Sequence, residues 1–352
     1  MTASTKGRQT PHWTPESLGE ALAKLDVGPV SIREPMADHT TIKVGGPADA
    51  FVVIRDLDAL SRTLRYLHQA KIPWLLVGNG SNLIVRDGGI AGAVLHPRGI
   101  DALDLSRVAE GRIRAEAGVP LTKIVRIGLE HAFDRIWLLA GIPGSVGGAV
   151  WMNAGTKYGE IQEVIESVEV MSPSGNIRVI EREALTFSYR KLHLPRNRLI
   201  VAVNLRFETG HAEKIREKHR EVMTYRSMTQ PLTFPTVGSV FRNPPPGKDG
   251  TPVYAGSLIE ACGLKGVRVR GAQISSKHAN WIVNVGNAKA ADILTLIRLM
   301  RDRVKREHGV KLELEAKVVG RNPEKMPTGV DEDSLPDEEI QTASTERKED
   351  AQ

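Results

Sequence analysis

Two stretches of the 352-residue chain hold glycine and small polar residues at a density that suits the binding of anions. The first is Gly78, Asn79, Gly80, Ser81 and Asn82, which follow the apolar run Trp74–Val77. A strand that ends in such a turn exposes successive backbone N–H groups, and such a nest takes up phosphate oxygens. It is not the dinucleotide fingerprint, because Leu83 stands where G-x-G-x-x-G needs its last glycine, and no Gly-Lys-Ser/Thr follows to make a Walker loop. The same residues equally describe a glycine-rich hairpin turn. The second stretch, 140–155, contains Gly141, Ile142, Pro143, Gly144, Gly147, Gly148, Asn153 and Gly155, five glycines in sixteen positions. That density would weaken an element with only a structural task. Paired glycines let a flat or charged ligand approach the backbone. Together the two stretches point to one extended phosphate-bearing ligand, such as a dinucleotide.

The elements around them form a mixed pattern. Thr14 and Pro15 read as N-cap and first residue of a helix, with Ser17 where a full capping box would have Glu or Gln. Phe51–Ile54, Trp74–Val77, 93–95 and 112–116 read as strands, and Leu57, Leu60, Leu64 and Leu67 share one helix face between the first two. A further helix is expected near 120–131. The runs around Ser172–Gly175 read as a hairpin, and 199–207 alternates like a half-buried strand. From 211 the texture changes: a charged helix over 212–226, a proline-rich loop, a short helix near 255–262, strands at Ala272–Ser276 and Asn280–Val285, a long amphipathic helix over 290–308, and a strand over 311–320. The expected division is a leader and N-terminal helix (1–29), a first domain (30–212), a second domain (213–321) and a disordered acidic tail (322–352).

Composition excludes several classes. The single cysteine, Cys262, rules out a disulfide framework and a cysteine-built metal site, and is expected to pack as a small hydrophobe. No apolar run approaches the ~20 residues that cross a bilayer. The start of the chain lacks the apolar core of a secretory signal, so a cytoplasmic protein is expected. The net charge of +6 is uneven: the tail from 322 has ten acidic side chains against three basic ones, a net of −7, which leaves +13 on the rest. So basic a body suits nucleic acid, an anionic membrane surface, or phosphate-rich small ligands.

The motifs decide among these. GNGSNLIV (78–85) and GIPGSVGGAVWMNAG (141–155) resemble the flavin-contacting loops of the UDP-N-acetylenolpyruvoylglucosamine reductase (MurB) family. TIKVGGPADAFV (41–52), FSYR (187–190), TVGSVFRNP (236–244), KHANWIVN (277–284) and LELEAKVVG (312–320) extend the resemblance in family order over roughly 35–320. It implies an α+β fold, with an FAD-binding module of the vanillyl-alcohol oxidase (PCMH) type followed by a smaller substrate domain. It also implies FAD and NADPH as cofactors and reduction of the enolpyruvyl group of a UDP-sugar. The segment from Phe241 to Leu258 is similar to the short-loop branch, so the lid role of a tyrosine in the long-loop branch is not carried onto Tyr254.

The resemblance assigns catalytic roles to Arg190, Ser239 and Glu315. A guanidinium suits the growing charge of a carboxylate-conjugated enolate. A serine would deliver the proton, with no Gly-x-Ser-x-Gly elbow to make it a nucleophile. Glu315 would act as acid or orient Arg190; with Glu313 it is expected to share one strand face. By residue type alone the three read as a surface arginine, a turn serine and a solvated strand face. For cofactor binding the resemblance marks Gly78 to Asn82, Gly141 to Gly144, Gly147, Gly148 and Asn153. For the UDP-sugar it marks Tyr189, Arg226, Asn243, Lys277 and His278. No metal, nucleic acid or membrane insertion is expected, and the chain is expected to be a monomer. The alternatives are another FAD-linked oxidoreductase of this fold, and a basic nucleic-acid-binding protein, which the low aromatic content and the glycine-rich loops speak against.

Overall fold

The computed structural model describes residues 12–195 and 198–322. The expected leader and acidic tail lie outside them, apart from His12, Trp13 and Asn322. Helix α1 (Pro15–Lys24) starts as expected at Thr14, but its cap is fuller than the sequence pattern suggested. The Ser17 hydroxyl accepts from the Thr14 N–H at 2.9 Å while Thr14 Oγ1 accepts from the Ser17 N–H at 3.1 Å, so serine completes a box usually closed by Glu or Gln.

The first layer is a four-stranded sheet in the order Val30–Pro35, Pro47–Val53, Ile90–His96, Trp74–Leu76. Its first pair is antiparallel and the rest parallel. The parallel strands are apolar because both faces are covered. On one face Ala50, Val52, Ala93 and Leu95 pack on α1 and on α2 (Leu57–Gln69), whose Leu60, Leu64 and Leu67 point inward at helical spacing. Each such leucine contributes about 1.5–3 kcal/mol of burial.

The second layer is antiparallel, in the order Ile177–Glu181, Ile165–Met171, Leu199–Arg206, Arg112–Glu116, Leu103–Asp104. The expected hairpin across Ser172–Gly175 is present, with Met171 opposite Ile177. The alternation in 199–207 misled in one respect. This strand is the central one, and it is buried on both faces over nearly its whole length rather than half-buried. Helices α3 (Leu121–Glu130) and α4 (Val146–Trp151) pack on this sheet through Ile124, Ile127, Val146 and Val150.

Helix α5 (Ala212–Thr229) leads to the third layer, an antiparallel sheet in the order Thr236–Ser239, Trp281–Asn284, Ala272–Ile274, Arg268–Val269. Helices α6 (Ala255–Ala261) and α7 (Ala290–His308) cover it, and α7 buries Ile293, Leu296, Ile297, Met300 and Val304 as its periodicity requires. Cys262 packs in the same core.

The expected strand over 311–320 is much shorter. Only Lys317–Val319 forms a strand, running parallel to Leu83–Val85 with Val318 beside Ile84. The residues before it make only an isolated strand bridge, between Leu314 and Phe241. Glu313 and Glu315 therefore do not share a strand face: Glu313 is exposed, while the Glu315 side chain is mostly buried. The short strand also returns the chain to the first glycine-rich turn, where the Lys317 N–H donates to Asn82 O at 2.8 Å.

Candidate active site

The two glycine-rich stretches meet. Ser81 Oγ donates to Pro143 O at 3.3 Å, and a Cβ on Gly78 would come within 2.9 Å of Ser145 Oγ. The first stretch joins the strands Trp74–Leu76 and Leu83–Val85, which belong to different sheets, and the second enters α4. Between them opens a cavity of about 880 Å³. It is lined by Gly78 to Asn82, Gly141 to Gly144, Gly147 and Gly148.

The donors and the space in these loops fit a dinucleotide cofactor. Among the described residues, the N–H groups of Gly78, Asn79, Gly80, Ser81 and Asn82 donate to no protein acceptor. Five such groups in a row suit the oxygens of a diphosphate. Gly80, at φ +60°, could carry no side chain, since its Cβ would meet His39 O at 2.1 Å. A Cβ on Gly148 would meet only Ser145 Oγ, at 3.5 Å, which leaves open space at its backbone. Arg226 supplies a buried cation at the rim: one Nη donates to Gly141 O at 2.8 Å, while Nε is buried without a partner. Burial lowers the pKa of its guanidinium, so an anion beside it would relieve a real cost.

The other end of the cavity is built from charged side chains. Arg190 sits at the second of two turn residues joining Thr186–Ser188 to Lys191–His193. Its φ of +59° is the left-handed value that such a turn usually gives to glycine. The turn aims the guanidinium at Glu315: Nε donates to Glu315 Oε1 at 3.0 Å. A terminal nitrogen donates to Gly155 O at 3.1 Å. Glu315 is fixed from the third layer, where its N–H donates to Val240 O at 2.9 Å and its carbonyl accepts from Asn82 Nδ2 at 3.1 Å. Burial raises the proton affinity of the Glu315 carboxyl, against the opposing pull of Arg190 and of Arg242. Ser239 ends the strand that runs into Val240, opposite Trp281, and lines the same cavity. Among the described residues no side chain or backbone group hydrogen-bonds its hydroxyl.

The remaining candidates divide. Arg226, Asn243 and His278 line the cavity. Asn243 Oδ1 is already engaged by the Ala255 N–H at 3.1 Å. The His278 imidazole is pushed below its ordinary value by burial, and its Nδ1 lies 3.2 Å from the Asn280 N–H. Tyr189, Lys277 and Asn153 do not line the cavity. The Tyr189 ring is exposed under the Arg190 guanidinium, and Lys277 Nζ donates to Ser227 O. Asn153 is fully buried behind Glu160 and Ser188.

Sequence reasoning missed Lys157, Tyr158 and Tyr225 at the cavity wall, where Lys157 Nζ lies 3.2 Å over the Tyr225 ring. It also missed Gln230, whose buried Oε1 has no partner among the described residues, and Glu160 beside Arg190. No local pattern marks these residues. Tyr225 and Gln230 reach the wall from α5 and its C-terminal end, and Glu160 meets Arg190 through the ribbon Gly155–Thr156 with Gly159–Glu160.

Comparison with known proteins agrees with this geometry. Residues 48–181 match the FAD binding domain family, and residues 230–319 match the C-terminal domain of UDP-N-acetylenolpyruvoylglucosamine reductase. A UDP-N-acetylenolpyruvoylglucosamine reductase from Halalkalibacterium halodurans is 40% identical over 307 residues, covering 87% of this chain and 99% of the relative. One from Syntrophus aciditrophicus is 40% identical, covering 87% and 96%. The crystal structure of the Thermus caldophilus reductase superposes with a TM-score of 0.69 at 36% identity, over 82% of this chain and 98% of that one.

Proposed function

From a chain that belongs to the UDP-N-acetylenolpyruvoylglucosamine reductase family, we infer how named residues carry that family's reaction. The protein is an FAD-dependent oxidoreductase with an α+β fold that uses NADPH to reduce the enolpyruvyl ether of a UDP-sugar, a step in making peptidoglycan precursor. When bound, FAD would supply hydride transfer from NADPH to the enolpyruvyl double bond. We propose that the N–H groups of Gly78 to Asn82 hold its diphosphate, with Gly141 to Gly144, Gly147 and Gly148 against its body.

Hydride arriving at the far carbon of the double bond leaves negative charge on the substrate carboxylate. Arg190 is proposed to bind that carboxylate with the N–H groups left over after Glu315 and Gly155 are satisfied, and to hold it more tightly as charge grows. Ser239 is proposed to give the proton to the carbon beside the carboxylate. Its free hydroxyl at the cavity wall supports that role. Glu315 keeps Arg190 turned into the cavity. Arg226, Asn243 and His278 are proposed to contact the UDP-sugar. Asn153, Tyr189 and Lys277 lack a place on the cavity wall, and the same direct roles are not carried forward for them. We place the work in the cytoplasm, where NADPH and a nucleotide sugar are both at hand. No helix among the described residues is long and apolar enough to cross a membrane.

The observation that supports this reading is that one cavity takes in both glycine-rich loops together with Arg190, Ser239 and Glu315, from three separate layers. The test is substrate-dependent oxidation of NADPH. Enolpyruvyl-UDP-N-acetylglucosamine should trigger it and UDP-N-acetylglucosamine should not. Ser239→Ala should leave reduction of the flavin by NADPH intact and slow its reoxidation by substrate about a hundredfold, the scale of a lost general acid. Equal losses in both halves would refute the serine's role.

A further inference from the structure

Arg190 is flanked by two carboxylates. Glu315 takes its Nε, and Glu160 Oε1 lies 3.5 Å from a terminal nitrogen on the other side. Glu160 is held with unusual completeness for a side chain on a short surface hairpin. Its other oxygen, Oε2, accepts from Asn153 Nδ2 at 2.7 Å and from Gln162 Nε2 at 2.7 Å. Its N–H donates to Glu163 Oε1 at 2.8 Å. Both side-chain amide donors go to Oε2, and the guanidinium lies beside Oε1.

The backbone has the same purpose built into it. Gly155 and Glu160 are opposite each other in the two-stranded ribbon Gly155–Thr156 with Gly159–Glu160. That pairing presents a carbonyl and a carboxylate side by side to Arg190, whose terminal nitrogens meet both. Asn153 ties the ribbon to the turn: besides Glu160, its Nδ2 donates to Ser188 O at 3.2 Å, two residues before Arg190. Asn153 is itself left-handed, at φ +42°, and fully buried. Two residues in a conformation that disfavours side chains thus face each other across one network. Such strain persists where surrounding contacts over-determine it.

We propose that Glu160, locked by Asn153 and Gln162, is a positioning residue that holds the Arg190 guanidinium at the angle from which it meets the substrate carboxylate. Asn153 acts through Glu160. The inference rests on the assignment of Arg190 and Glu315 to the reaction. It makes a further claim about charge. Glu315 faces the guanidinium groups of Arg190 and Arg242, and Glu160 shares the first of them, so Glu160 weakens the pull by which Arg190 lowers the proton affinity of Glu315. A neutral side chain at 160 should let Glu315 ionise at lower pH.

The test uses the FAD-loaded enzyme and follows the two half-reactions separately across pH. Glu160→Gln keeps the size and the acceptor oxygen but removes the charge. It should leave reduction of the flavin by NADPH unchanged and slow reoxidation by the enolpyruvyl substrate by about tenfold, the low end of what loss of an outer support costs. The ionisation seen in the reoxidation step, assigned by its absence in Glu315→Gln, should move to lower pH. Glu160→Asp keeps the charge with shorter reach, so it should lose rate while leaving that ionisation in place. Gln162→Leu, which removes one of the two locks, should give a weaker form of the rate loss with FAD retained. An unaltered rate and pH profile in Glu160→Gln would overturn the proposal. So would an equal fall in both half-reactions with loss of FAD, which is the signature of a purely structural residue. If the unsubstituted enzyme fails to oxidise NADPH on addition of substrate, the underlying assignment fails first, and this inference falls with it.

Discussion

The two ends of the cavity work by opposite means. At the glycine-rich end the groups proposed to recognise the ligand are backbone N–H groups, which few side chains cover. At the Arg190 end they are charged side chains, held by other charged side chains: Arg190 by Glu315 and Glu160. The first end needs space and the second needs aim. The difference teaches where each can fail. A methyl group ruins the first, and a change of hydrogen-bond geometry with no change of charge ruins the second.

Arg190→Lys probes the second claim and carries the largest expected effect. Lysine keeps the positive charge but replaces a fork of five donors with a single ammonium that cannot engage Glu315, Gly155 and a substrate carboxylate together. Reoxidation of the flavin by substrate should fall about a thousandfold, the upper scale for a lost transition-state donor. FAD should stay bound and its reduction by NADPH should continue. If the lysine variant keeps most of its activity, charge alone suffices at this end and the contrast with the other end collapses.

A pair of glycine substitutions probes the first claim, with an effect next in size. Gly148 has room for a Cβ in the protein itself, with only Ser145 Oγ within 4 Å, at 3.5 Å. Gly148→Val should therefore leave the melting temperature of the FAD-free protein nearly unchanged and weaken FAD binding by about tenfold or more, because the new atoms enter the cavity. Gly147 is different: a Cβ there would lie 2.6 Å from the Ala117 Cβ. Gly147→Val should cost about 1–3 kcal/mol of stability before any cofactor is added. Titration of FAD into both variants, beside thermal melts without it, separates a ligand loop from a merely crowded turn. Equal behaviour of the two variants would mean that packing explains both glycines.

The same contrast explains what the sequence could and could not tell. The glycine-rich end is legible because the role proposed for it is compositional: five glycines in sixteen positions, and a nest behind an apolar strand, are visible without folding the chain. The helix faces of α2 and α7 were legible for a related reason, since periodicity is local. The charged end was legible only through family resemblance. Arg190 at a turn and Glu315 beside Glu313 carry no local mark. What separates Glu315 from Glu313 is a bridge at Leu314 to Phe241, about seventy residues earlier in the chain. Glu160 carried no mark at all, since its partners Asn153, Gln162 and Arg190 join it only through a short ribbon and a distant turn. The strand at 199–207 failed differently. Its alternation was real, but a second layer covers the face that it left polar in only a few places.

The smallest predicted effect concerns the cost of keeping a carboxyl group at the charged end. Burial holds the Glu315 proton more tightly in the folded protein than the ordinary 4.5, with Arg190 only partly opposing it. Folding therefore binds protons in the window that opens at 4.5 and closes at the raised value. Stability should fall as pH rises through that window and level off above it. Glu315→Gln removes the titrating group. Relative to the unsubstituted protein, the variant should gain stability on going from below 4.5 to neutral pH, even if its absolute stability is lower at every pH because Arg190 has lost its partner. Denaturant melts at a series of pH values read this as a change of slope rather than of level. Gly148→Val removes no titrating group, so it should leave the slope untouched. A difference between Glu315→Gln and the unsubstituted protein that stays constant with pH would mean that the Arg190 pairing fully offsets the burial of Glu315, and that the two ends of the cavity cost the fold alike.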